Sequence, residues 1–165
     1  MGPTSNLPTE LVKQIRNILA DLRRRTGTEC ILLADVSGQL LGARGKVLGI
    51  DPVLVAVLAA ADIAAIAQVS DQITRPVGDR SMGRSFLHEG GKQSVYLFNV
   101  AARFILIIIF RTGVSLDLIQ MLVRRASEQL HPLATEFEDL MGPLQPVSSA
   151  TFGSTLAQEL DRRFQ

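Results

Sequence analysis

The segment from residue 42 to residue 46 is the part of this chain most similar to a cofactor-binding motif. It reads Gly-Ala-Arg-Gly-Lys and is similar to the loop whose backbone amides hold nucleotide phosphates. That loop also requires a glycine where this chain has Leu40, and a serine or threonine where it has Val47. The segment moreover lies in or just after a predicted edge strand and does not lead into a helix. We interpret its glycines as positions where the strand bends, and expect no nucleotide site.

Other side chains capable of catalysis stand far apart in the sequence. The two histidines, His88 and His131, are 43 residues apart, and neither belongs to a His-Glu-x-x-His pattern. Cys30 lies in an apolar run, where a cysteine is more often a core residue than a nucleophile. As the single cysteine, it also excludes an internal disulfide and a zinc site built from cysteines. We therefore expect a protein that is not an enzyme and that holds no metal or cofactor.

Two groups of arginines remain as candidates for binding a partner. Three of them, Arg75, Arg80 and Arg84, lie in a turn-rich stretch at 74–84, for which a solvated surface loop is the favoured interpretation. The other group, Arg162 and Arg163, accompanies a narrow apolar stripe near the end of the chain. That stripe consists of Leu156, Leu160 and Phe164. A short amphipathic helix that enters a groove of another protein is a common recognition mode, so the tail is the better docking candidate.

The composition limits the classes of protein to which the chain can belong. Apolar residues make up 47% of its 165 residues, with a mean hydropathy of +0.24, which excludes intrinsic disorder. Seventeen basic against sixteen acidic residues give a net charge of +1, so non-specific binding to nucleic acid has no electrostatic support. The longest apolar stretch, 53–67, contains Asp62 and is shorter than the roughly 20 residues that cross a membrane. Residues 1–10 contain no apolar run, so we expect no secretory signal and a cytoplasmic protein without membrane insertion.

Periodicity and turn residues place eight elements in the main part of the chain. We predict helices over 8–26, over 51–72 and from Ser115 onward, and strands over 29–35, 39–46, 84–89, 92–100 and 103–111. Pro132 interrupts the apolar seam of the third helix and predicts an end or a kink there. The resulting organisation is a flexible N-terminus (1–7), one domain (8–141), a linker (142–153) and an amphipathic C-terminal helix (154–165).

The apolar run at 103–111 determines the predicted topology. Seven consecutive apolar residues stand between Arg103 and Arg111, which indicates a central strand buried on both faces. This strand becomes central when it lies beside the first strand, which gives a five-stranded antiparallel sheet in the order 2-1-5-4-3. The predicted fold class is therefore α+β, a sandwich of the form helix-ββ-helix-βββ-helix. Helix two covers one face of the sheet, helices one and three cover the other, and the strand at 84–89 is an open edge.

In this order of elements, residues 8–131 resemble the Roadblock/dynein light chain family. The resemblance rests on the hairpin LLADVSGQLLG, the alanine-rich second helix, the hairpin GGKQSVYLFNV and the apolar fifth strand. It implies a dimer in which second helices pack side by side and edge strands join into one sheet. It also implies a scaffold or regulator of small GTPases, and bacterial members include activators of a Ras-like GTPase in cell polarity and motility.

The second helix supports dimerisation independently, because it is apolar on nearly all sides while the sheet covers one face. An uncovered apolar face marks an interaction site. A seam of mainly small residues, together with the edge strand, is the predicted interface: Val53, Val57, Ala60, Ala64, Ala67, Arg84, Phe86 and His88. The predicted GTPase-docking residues are Asp62, Gln68, Asp71, Leu156, Leu160, Arg162, Arg163 and Phe164. Asp62 projects into the bulky stripe on the opposite side, and the sequence does not decide which of the two stripes faces the sheet.

Two alternatives to a GTPase activator stay open at this point. One is a dimeric adaptor that has no effect on GTP turnover. The other is a small-molecule sensor of the PAS or profilin type, which also interleaves two strands, helical material and three strands. A sensor needs a pocket between its sheet and its helices, whereas the second helix resembles one continuous, closely packed rod.

Overall fold

The computed structural model describes residues 7–73, 85–142 and 157–163, which form four helices and one sheet. The elements are α1 (Thr9–Thr26), β1 (Cys30–Asp35), β2 (Leu40–Gly45), α2 (Pro52–Ile73), β3 (Ser85–Glu89), β4 (Gln93–Val100), β5 (Phe104–Arg111), α3 (Leu116–Met141) and α4 (157–163). The five strands are antiparallel in the order β2-β1-β5-β4-β3, which confirms the predicted topology and fold class.

The central strand β5 joins the two halves of the sheet. It pairs with β1 on one side, where Leu32 lies opposite Ile107, and with β4 on the other, where Leu97 lies opposite the same residue. Every residue of β5 except Arg111 is buried. Such an uninterrupted apolar strand must be covered on both faces, as the sequence predicts.

Helices cover both faces of the sheet and form two separate apolar clusters with it. The larger cluster packs α1 and α3 against alternate residues of β1, β4 and β5, such as Ile31 and Leu106. The smaller cluster packs α2 against the residues between them, such as Leu32 and Ile107. Because side chains alternate along a strand, consecutive residues of β5 serve the two layers in turn.

The turns and helix ends follow from local chemistry. Asp35 is buried, and its Oδ1 accepts hydrogen bonds from the backbone amides of Ser37 at 2.9 Å and Gln39 at 3.0 Å, which fixes the β1–β2 turn. Ser115 caps α3 by accepting a bond from the amide of Leu118 at 3.3 Å. The third helix then runs unbroken through Pro132 to Met141, instead of ending at the proline.

The end of α3 is held by Arg103, a buried cation. Its side chain donates to the carbonyl of Gly142 at 3.1 Å, and its guanidinium lies 5.0 Å from the centre of the Phe137 ring. Carbonyls at the C-terminus of a helix have no partner within the helix, so a cation there satisfies one of them.

Candidate interaction surface

The second helix covers only part of the sheet face on which it packs. Its main contacts are with β2, β1 and β5. Ala56, Ala59, Ala60 and Ile63 are buried in this contact, and the three alanines let the helix lie close to the strands. The part of the sheet formed by β4 and β3 extends beyond the helix. A groove therefore lies between α2 and this part of the sheet.

The groove has a volume of about 370 Å³ and a largely apolar lining. One wall belongs to α2, the floor belongs to β4, and the far wall is a residue of the edge strand β3. The lining residues are Val55, Leu58, Ala59, Asp62, His88, Val95 and Leu97. Two of these seven are polar, and they bond to each other.

Asp62 and His88 connect the helix to the edge strand across this groove. His88 Nε2 lies 2.7 Å from Asp62 Oδ2, and both side chains are partly exposed, at 56% and 35%. In the neutral ring a proton on Nε2 is donated to the carboxylate, and in the charged ring the contact becomes an ion pair. Asp62, which projects from the bulky stripe of α2, therefore has a partner on β3.

The strand β3 has one neighbour among the strands that the structure describes. It pairs with β4, where Phe86 lies opposite Leu97 and His88 opposite Val95. Phe86 is half-buried and packs against the α2 cluster, so it lies on the same face as His88. No described strand pairs with the outer side of β3, so among these residues its backbone amides and carbonyls can bond to another strand.

The exposed surface of α2 is strongly apolar. Val53, Leu58 and Val69 are 57%, 43% and 55% exposed. The stretch Pro52–Val69 is long and apolar enough to cross a membrane by length and composition, and only 22% of it is buried in the protein. Helices in the cores of soluble proteins meet the same criterion. Asp62 lies within this stretch and bonds to His88 of the edge strand.

The residues predicted for a dimer interface lie on two opposite flanks of α2. At about 100° per residue, the seam of Val53, Val57 and Ala64 lies on the side away from the groove. Val57 approaches the β1–β2 turn, where a Cβ on Gly38 would lie 3.2 Å from the Val57 Cα. Ala60, at 3% exposure, packs on the sheet itself. The structure thus does not bring this seam together with the edge-strand part of the predicted interface.

The other predicted residues are divided between the outer surface and the tail. Ala67 is half-buried on α2 and Gln68 is exposed. In α4, Leu160 is 46% exposed, Arg162 pairs with Glu159 of the same helix at 3.3 Å, and Arg163 forms an ion pair with Asp51. The remaining predictions fall outside what the structure describes, namely Arg84, Leu156, Phe164 and the side chain of Asp71.

The glycines and the cysteine considered for nucleotide binding or catalysis are packed against other parts of the protein. A Cβ on Gly45, whose φ is +80°, would lie 2.0 Å from the Glu29 carbonyl, and one on Gly42 would lie 3.0 Å from Leu19. These glycines allow close packing of β2 against its neighbours. Cys30 is buried, and burial raises the pKa of its thiol. Within the described ranges, no group of three potential metal ligands comes together.

Two features of this surface were missing from the sequence predictions. The first is Val95 of β4, which lies on the floor of the groove between the bulky stripe of α2, with Val55 and Leu58, and the edge strand. The second is the contact of Asp51 with the tail, since Asp51 was interpreted only as the start of a helix. The alternation of β4 was a usable signal for Val95, whereas no local pattern announces the contact of Asp51.

Solved structures give clear matches, whereas no family model and no curated protein matches the chain. The chain is 27% identical to Myxococcus xanthus MglB, with a TM-score of 0.69 over 84% of this chain and 98% of that one. A structure described as MglB with tetrameric arrangement has 21% identity and a TM-score of 0.68, over 82% and 98% of the two chains. A Roadblock/LC7 domain from Streptomyces avermitilis shares the fold at 13% identity and a TM-score of 0.59, over 72% and 95%.

Proposed function

We propose, from the relationship to the Roadblock family that these structures support, that the chain is a homodimeric, non-enzymatic regulator of a Ras-like small GTPase. The matches to MglB suggest a Roadblock-type regulator, either an activator or a scaffold. Its site of action is the cytoplasm, and its process is cell polarity or motility, as the family resemblance implies. The single observation that carries the proposal is the apolar, mostly uncovered α2 beside the edge strand β3, which pairs only with β4 among the strands that the structure describes.

The dimer contact lies on the groove side of α2. A second copy can place its own α2 against Val55 and Leu58 while its β3 pairs with the free edge beside Phe86 and His88. Such an isologous contact uses the same surface twice, which is the commonest symmetry of soluble oligomers. The tetrameric arrangement of one MglB structure supports self-association as a property of this fold.

The GTPase contact lies on the outer side of the paired helices, with the tail as a second point of attachment. Gln68 is exposed there. Asp62, also predicted for GTPase docking, instead lines the groove and pairs with His88. A regulator of this kind changes turnover by binding one arrangement of the GTPase switch loops more tightly than the other. The catalytic groups then belong to the GTPase.

Two measurements test this proposal. Solution mass by light scattering must show a dimer, and a stable monomer overturns the dimer. Single-turnover GTP hydrolysis by a Ras-like GTPase of the same organism is then compared with and without this protein. A large acceleration supports the activator. Binding without acceleration makes the protein an adaptor, and a monomer that retains a small ligand makes it a sensor instead.

A further inference from the structure

The short helix α4 contacts the body of the protein at the beginning of α2. Arg163 forms an ion pair with Asp51 Oδ2, although 112 positions separate the two residues in the chain. The other carboxylate oxygen, Oδ1, accepts the backbone amide of Val53 at 3.0 Å. Asp51 therefore caps the first turn of α2 with one oxygen and holds the tail with the other.

In residues 157–163, the part of the tail that the structure describes, this contact is held by charge and not by burial of apolar surface. Leu160 remains 46% exposed, and every described residue of α4 except Glu159 is exposed. The Arg163 and Asp51 side chains are themselves 47% and 39% exposed. An ion pair this exposed to water is weak and is screened by salt. The tail can therefore leave its position without any change in the core.

We propose that α4 is a reversible latch, which docks on Asp51 in the free protein and is released when the partner binds. The inference rests on the proposed function, in which the same tail attaches to the GTPase. While Arg163 is paired with Asp51, the tail is held on its own chain and is not free to attach to the partner. Only molecules whose tail is free can bind with it, so the apparent affinity for the partner equals the intrinsic affinity multiplied by the fraction of molecules with a free tail.

The first experiment tests the contact itself and needs no GTPase. Amide hydrogen exchange of residues 157–163 is measured in the full-length protein and in two variants, Arg163→Gln and Arg162→Gln. Both variants lose one positive charge, but Arg162 pairs with Glu159 of its own helix. We expect faster exchange in Arg163→Gln than in Arg162→Gln. We also expect high salt to speed exchange in the protein without substitutions, because salt screens the ion pair. Equal exchange in the two variants overturns the latch.

The second experiment tests the regulation. Asp51→Asn removes the negative charge and keeps a side-chain oxygen that caps α2, because asparagine is as good a cap as aspartate. Asp117→Asn is the matched control, since Asp117 is an exposed carboxylate in the first turn of α3. Affinity is measured for a Ras-like GTPase of the same organism, loaded with GDP or with a non-hydrolysable GTP analogue. We expect Asp51→Asn to bind about two to five times more tightly than the control, the range that an exposed ion pair supports.

The two experiments separate failure of the latch from failure of the proposed function. Faster tail exchange in Arg163→Gln with an unchanged affinity of Asp51→Asn means that the contact exists but does not regulate, which overturns the inference. If neither the original protein nor any variant binds the GTPase, the proposed function fails, and the proposed regulation fails with it. Weaker binding by Asp51→Asn than by Asp117→Asn also contradicts the latch, because it places Asp51 itself in the partner contact.

Discussion

Replacing Leu58 by alanine should weaken self-association without disturbing the fold. Leu58 lines the groove between α2 and the edge strand and is 43% exposed in the single chain. That exposed fraction is apolar surface that a second copy would cover. Alanine keeps the helix, because it has the highest helix propensity of all residues. The substitution therefore removes contact area at the proposed interface and little else.

The expected size of the effect follows from the exposed fraction. Full burial of a leucine side chain contributes about 1.5–3 kcal/mol, so the 43% that is exposed here corresponds to about 0.6–1.3 kcal/mol. A symmetric dimer contains the residue twice, which doubles the loss to about 1.3–2.6 kcal/mol. The dissociation constant of the dimer should therefore rise about tenfold to seventyfold.

Sedimentation velocity over a range of protein concentrations measures this dissociation constant. Met121→Ala is the control, since Met121 is 46% exposed but lies on α3, which covers the opposite face of the sheet. Val53→Ala tests the other flank of α2, where the seam of small residues lies. If Leu58→Ala dissociates no more readily than Met121→Ala, the groove is not the interface. A larger effect of Val53→Ala would return the interface to the predicted seam.

Three further predictions concern stability and reactivity. Arg103→Met should lower the free energy of unfolding by about 2 kcal/mol, because the last turn of α3 loses a buried charged hydrogen bond and a cation–π contact. The same change at the exposed Arg111 should cost less than about 1 kcal/mol in urea titrations, and equal losses would contradict this reasoning. Ala101→Asn combined with Ala102→Gly should raise stability by about 1 kcal/mol in thermal unfolding, since both alanines have a positive φ, of 54° and 53°, that asparagine and glycine tolerate better. Cys30 should react with iodoacetamide slowly in the folded protein and quickly in denaturant, because burial raises the pKa of its thiol, and rapid labelling of the native protein would refute this.

The fold was predictable because its strongest signals are local or compositional. The run around Ile107 has one place in a sheet, the centre, and that alone fixes the strand order. Ser115 and Gly27 mark helix ends by their own chemistry, as a cap and as a left-handed residue with φ of 68°. Pro132 shows the limit of such signals, because the buried neighbours Leu130 and Leu133 continue the apolar seam of α3 through it.

The orientation of α2 was not predictable in the same way. A helix that is apolar on nearly all sides has no stripe that identifies its buried face. The face on the sheet begins at Ala56 and includes Ala60 of the seam of small residues and Ile63 of the bulky stripe predicted on the opposite side. Asp62 pairs with His88, which follows it after a turn-rich stretch and meets it only in the tertiary structure. Interactions between residues this far apart leave no mark on local periodicity.

The strand order also has a consequence for how the chain folds. Leu32 of β1 pairs with Ile107 of β5, so the centre of the sheet closes only after α2, β3 and β4 have been synthesised. Contacts of such long sequence separation slow folding, because the intervening chain must lose its entropy before they form. During that interval α2 has no complete sheet to pack against, and its apolar surface is open to other nascent chains.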